Sequence, residues 1–118
     1  MCFYVIKQSR PRKAKKDIPC WKILNEDYTP LYHKENPPYK SGVLNPIIKL
    51  RKTKNDYYII STIKKGYHSY QTEKEAIYKL RRLVILSFTP IVKKFIIPKG
   101  TLYYKNEKEY VSETIMMK

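Results

Sequence analysis

The sequence predicts an α+β fold, a single domain with a mainly antiparallel sheet of five or six strands and one central helix, about residues 73–86, on one face. Three observations lead there. Short runs rich in β-branched and aromatic residues recur along the chain, separated by turn-forming residues. Only one stretch keeps apolar residues at helical spacing. The length, 118 residues, suits one domain with one core.

Taken in order, "CFYVIK" reads as a first strand. Residues 9–19 follow as a basic loop or arm carrying Pro11 and Pro19. "CWKILN" is a second strand, ending at the turn-prone "NED". Residues 27–46 hold Pro30, Pro37, Pro38, Pro46 and Gly42, so they are expected as a proline-rich loop packed by Tyr28, Leu31, Tyr32 and Tyr39. "IIKLRKTKNDYYIISTI" has the form of a hairpin, with Asn55-Asp56 at its turn. Gly66 ends that hairpin.

Thr72 and Glu75 then make a capping-box pattern, in which the Thr hydroxyl accepts from an amide of the first helical turn. Ala76, Ile77, Leu80, Leu83, Val84 and Ser87/Phe88 follow helical spacing, and the helix must stop before Pro90. "IVKKFIIP" is a strand, "KGT" a turn, "LYY" extended, "KNEKE" a second turn, and "YVSETIMM" one closing strand.

The formal net charge is +15, from 25 Lys+Arg against 10 Asp+Glu, and the chain has 12 tyrosines but only three glycines. So few glycines exclude phosphate loops of the G-x-G-x-x-G or Walker type, and neither pattern occurs. The first residues lack the charge order and apolar length of a signal peptide, and no run approaches the roughly 20 apolar residues of a membrane span. A cytoplasmic location with no membrane partner is therefore expected. Cys2 and Cys20 are too few for a disulfide scaffold and are expected as reduced thiols.

Clustered positive charge is the main functional signal. Arg10, Arg12, Lys13, Lys15 and Lys16 form one run; Lys49, Arg51, Lys52 and Lys54 lie on the hairpin; Lys79, Arg81 and Arg82 lie on the helix. Such groups displace counterions from phosphates, so they are the candidate contacts to nucleic acid or to an acidic protein surface. Tyr32, Tyr39, Tyr57, Tyr58, Tyr67, Tyr70, Tyr103 and Tyr104 interleave with them, as residues that either stack bases or pack as strand aromatics. Within the pairs 57/58 and 103/104 one ring should face each way.

Cys2, Cys20, His33 and His68 have no zinc-site spacing, so no metal and no cofactor are expected. Catalytic groups are equally sparse: His68 and Glu113 are the candidates, a triad of His68 with Cys20 or Ser69 and Glu113 rests on inventory alone, and "GYHSYQTEKEA" reads first as a joint between strand and helix.

Gly66-Tyr67-His68-Ser69-Tyr70, then Ile97-Pro98-Lys99-Gly100-Thr101 with Tyr103-Tyr104, then Ser112, resemble a loose group of small uncharacterised proteins of gut Bacteroidetes and their phages. The resemblance spans roughly residues 20–117. It implies a small phage accessory protein and carries no activity over. Together with the charge it leads to a non-enzymatic binding module for nucleic acid or a nucleic-acid-handling host complex, such as a host defence system. Two alternatives stand beside it. A loose likeness to ADP-ribosyltransferase-like domains would have His68 grip an NAD ribose, Tyr103 or Tyr104 stack on nicotinamide, and Glu113 act as the acid. A virion structural component would meet packaged genome through the same positive charge. The sequence leaves the oligomeric state open.

Overall fold

The structure, a computed structural model, describes residues 3–6, 10–31, 36–52, 60–83 and 90–118, excepting the side chains of 3–6, 60–62 and 64. The strands are β1 (Phe3–Ile6), β2 (Arg12–Lys13), β3 (Ile18–Asn25), β4 (Arg51–Lys52), β5 (Ile60–Lys65), β6 (Tyr67–Tyr70), β7 (Pro90–Ile97), β8 (Leu102–Lys105), β9 (Glu109–Ser112) and β10 (Met116–Met117). The helix, α1, spans Glu73–Leu83 between β6 and β7. The class is α+β, and the pairings between named strands are antiparallel.

Among the described residues there are more strands than the five or six expected, in two sheets. One has seven strands in the order β10-β7-β3-β6-β9-β8-β2, and one has three in the order β1-β5-β4. The sequence could not separate them, because an alternating pattern shows which way a side chain faces and not which strand lies alongside.

β3 and β7 form the spine, paired along all of Ile18–Asn25. Alternation divides the β3 side chains between two faces. Cys20 and Leu24 join Phe95, Ile97, Ile115 and Met117 in one core cluster. Ile23, with Trp21 beside it, joins Tyr70, Ala76, Leu80 and Leu83 in another, under the helix. At the helix start the Thr72 hydroxyl accepts from the Glu75 amide at 3.2 Å, as the capping pattern predicts. The positions expected to extend the helix to 86, and Ser87/Phe88, lie outside the described residues, as do Tyr32, His33, Lys54, Tyr57 and Tyr58.

The face opposite the helix is covered by the proline-rich segment. Tyr39 meets Phe95 edge to face at 5.1 Å between ring centroids. The segment and the residues just after it are tied to the C-terminal residues: the Gly42 amide donates to Met117 O at 2.8 Å, and the Ile48 amide to Glu113 O at 2.7 Å. Tyr28 departs from the expected packing. It is exposed, with φ 70°, and Lys93 Nζ lies 5.1 Å from its ring centroid.

The run "YVSETIMM" also departs from expectation. It is two strands, β9 against β6 and β8, and β10 against β7 at the far edge of the sheet. Between them Ile115 is fully buried and the Thr114 hydroxyl donates to Asn45 O at 2.6 Å. The chain crosses the sheet face there, and a β-rich crossing residue looks like strand in sequence.

Gly66 passes the chain from the small sheet to the large one, between β5 and β6. Its φ is 135°, and a Cβ built there would lie 2.6 Å from Val111 Cγ2 and 2.7 Å from Leu50 Cδ2. Only glycine fits this switch.

Candidate functional site

On the β6 side, β3 behaves unlike its β7 side. It pairs with β6 at one position, Trp21 opposite Tyr70. Further along, the chain turns at residues 26–29 and returns so that Pro30 bridges Leu24. The Asn25 side chain fixes that return, donating to Thr29 Oγ1 at 3.0 Å and to Pro30 O at 2.8 Å. Lys22 and Ile23 lie between the two bridges, and a cleft of about 950 Å³ opens beside them.

Its walls come from four places: Lys22 and Ile23 of β3, Lys65 to His68 with Tyr70 around Gly66, Lys79 and Leu83 of α1, and Pro30, Leu31 and Tyr39 of the covering segment with Ile48 just after it. Side chains of both sheet faces line it, so the cleft lies at the seam where the strands part.

Three lysines line the cleft, and no described lining residue carries a carboxylate. Lys22 is the most enclosed. Its Nζ donates to the His68 backbone O and lies 5.9 Å from the Tyr39 ring centroid. Burial lowers its pKa to about 8. His68 is half-buried; burial first and the Lys22 charge second lower its pKa to about 4, so the imidazole is neutral at neutral pH. Burial, with the neighbouring Tyr67 adding to it, raises the Tyr39 phenol to about 12. The Tyr67 hydroxyl donates to Pro46 O at 2.7 Å. Close to Lys79, burial raises the Glu109 pKa while the Lys79 charge opposes the rise.

The basic residues read from the sequence fall in three places. Arg12 and Lys13 form edge strand β2, paired with Tyr103 and Leu102, and Arg10, Lys15 and Lys16 flank it, all exposed. This run is pinned rather than loose: buried Ala14 donates to Thr101 O at 2.9 Å and accepts from the Gly100 amide at 2.8 Å, and Asp17 Oδ1 accepts from the Lys99 amide at 2.9 Å. Arg51 and Lys52 form β4 of the small sheet, with Lys49 two residues before it, and Lys52 Nζ lies 5.7 Å from the Tyr104 ring centroid. Lys79, Arg81 and Arg82 are on α1, the two arginines exposed in its last turn, where the helix dipole favours positive charge. The last two groups border the cleft, since Arg51 pairs with Lys65 and Lys79 lines the wall. The β2 group is apart, separated from β6 by β9 and β8, about 14 Å across the sheet.

The other candidates are dispersed. Tyr103 and Tyr104 face opposite ways, and both rings are packed: Tyr103 edge to face with Tyr110 at 5.7 Å, Tyr104 against Ile63 and Val111. Glu113 follows β9 and lies outside the cleft lining, where its amide donates to Leu102 O at 3.0 Å. Cys20 is fully buried, and burial raises its thiol to about 11. Of His68, Tyr103, Tyr104 and Glu113, the cleft gathers only His68.

Lys22 is the residue that sequence reasoning missed. The signal was there: in "IPCWKILN" it alternates in phase with Cys20 and Leu24, a lysine on an apolar face. Among the described residues no helix is long and apolar enough to cross a membrane. In comparisons with protein-family models, curated proteins and solved structures, nothing matches the chain.

Proposed function

We propose that the protein is a non-enzymatic module that binds nucleic acid through its basic surface, in keeping with the phage accessory role that the sequence resemblance implies. The observation that carries the reading is the anchored run at β2. Arg10, Arg12, Lys13, Lys15 and Lys16 are exposed, yet their backbone is fixed to β8 and to the 98–101 turn. Charges on a fixed frame meet phosphates at a smaller ordering cost than charges on a floppy arm. The net charge of +15 supports it further, because a polyanion relieves the self-repulsion of such a surface.

Titration of a fluorescent oligonucleotide at increasing salt tests the reading. If these five side chains each meet one phosphate, affinity should fall roughly 500-fold between about 50 mM and about 200 mM salt. Changing all five to Ala should flatten that dependence and leave the unfolding midpoint nearly unchanged. Affinity that is flat with salt in the original protein would sink the proposal.

A further inference from the structure

We infer that the cleft between β3 and β6 is a binding site for a nucleoside phosphate, with the phosphate drawn to Lys22, Lys65 and Lys79 and the base lodged among the tyrosines and apolar walls. The inference does not depend on the anchored run at β2, which two intervening strands, β9 and β8, separate from β6.

Three features of the cleft select this ligand class. The first is charge. Three ammonium groups line one concavity with no carboxylate among its described lining residues. Among the described residues the hydrogen bond of the Lys22 ammonium goes to one backbone carbonyl, that of His68. An ammonium held out of water beside a neutral dipole costs stability. A bound anion offsets that cost.

The second is the wall material. Tyr39, Tyr67 and Tyr70 bring rings, while Ile23, Leu31 and Leu83 bring aliphatic surface. Inorganic phosphate alone would leave these walls wet, and a purely apolar ligand would leave the Lys22 ammonium desolvated without an anion beside it. A planar heterocycle joined to a phosphate satisfies both, since every base has a face that stacks on phenol rings. The volume of about 950 Å³ is within the range of sites that enclose small ligands.

The third is the length of open strand. An extended peptide could add to a free sheet edge, but here the edge is Lys22 and Ile23 only, closed at one end by Trp21 opposite Tyr70 and at the other by Leu24 opposite Pro30. That is too short for strand addition. The nucleoside phosphate has two sources, a free nucleotide or the end nucleotide of a single strand. Arg51, opposite Lys65, and Arg82, one turn beyond Lys79, would guide a strand toward the opening.

Calorimetry on the full chain distinguishes the outcomes. The probes are adenosine monophosphate, inorganic phosphate and a short 5′-phosphorylated single-stranded DNA. Adenosine monophosphate should bind saturably, about tenfold or more tighter than inorganic phosphate. Lys22→Met and Lys79→Ala should each weaken it about tenfold, and the fivefold Ala variant at β2 should leave it within about twofold. Lys79→Ala alters a helix-surface residue and keeps the test informative even if Lys22→Met fails to fold. DNA binding that is tighter than adenosine monophosphate and lost with Lys79→Ala assigns the strand-end source; adenosine monophosphate binding with no DNA counterpart assigns the free nucleotide. Lack of saturable binding by both overturns the inference. So does binding that survives Lys79→Ala unchanged, or binding that disappears with the β2 variant.

Discussion

Strand β3 has two long sides, and they differ. Toward β7 it pairs from Ile18 to Asn25 without interruption; toward β6 it pairs once. The closed side buries Cys20, Leu24, Phe95 and Ile97 and contributes cohesion. The open side holds a desolvated lysine, a neutral histidine and three tyrosine rings, and contributes a place for a ligand. One strand thus serves both stability and recognition by presenting different edges to its neighbours.

The sharpest way to break this contrast is to damage the closed side. Phe95 is fully buried opposite Cys20, so Phe95→Ala should cost about 3–5 kcal/mol in urea unfolding. A loss under about 1 kcal/mol would mean that the β3–β7 seam is not the main source of stability.

Acid probes the open side. The His68 pKa is about 4 in the folded chain and 6.5 unfolded. The unfolded chain therefore takes up a proton first as pH falls, and stability drops between about pH 6.5 and about pH 4 by up to about 3 kcal/mol. His68→Gln should flatten the part of this slope that depends on the imidazole. Thermal unfolding at several pH values checks it, and an unchanged slope would show that the histidine is better hydrated than its position implies.

The smallest effect has the most telling sign. Lys22→Met removes a buried charge and keeps a chain of similar length, so it should raise stability at neutral pH by about 1 kcal/mol. The original protein should also gain stability as pH rises through about 8 toward 10.5, because the folded chain gives up the Lys22 proton before the unfolded one does. The Met variant should lack that gain. A residue whose removal stabilises the fold while weakening ligand binding is held for function. A destabilised Met variant would instead make Lys22 a structural strut.

Much of the frame was legible in the residues. Thr72 and Glu75 marked the helix start, Gly66 marked the change of direction, and the β-rich runs marked β3, β7 and β8. The opposed facing of Tyr103 and Tyr104 followed from alternation alone. What escaped was partnership. The split of "YVSETIMM" depends on β7 and β6, which lie far away in sequence. The cleft depends on a missing ladder, and no local pattern records a pairing that does not form. Lys22 looked like a surface lysine because its covering segment, with Tyr39 at its centre, arrives from a stretch that reads as plain loop.

The return of Pro30 beside Leu24 has a consequence for solubility. An open stretch in the middle of a sheet is an internal edge, and edges recruit strands from other molecules. Proline has no amide hydrogen to offer, and the Lys22 ammonium already occupies the carbonyl of His68 across the gap. The seam is thereby closed to another copy of the chain while staying open to something smaller, so the same two residues that shape the cleft also guard against aggregation.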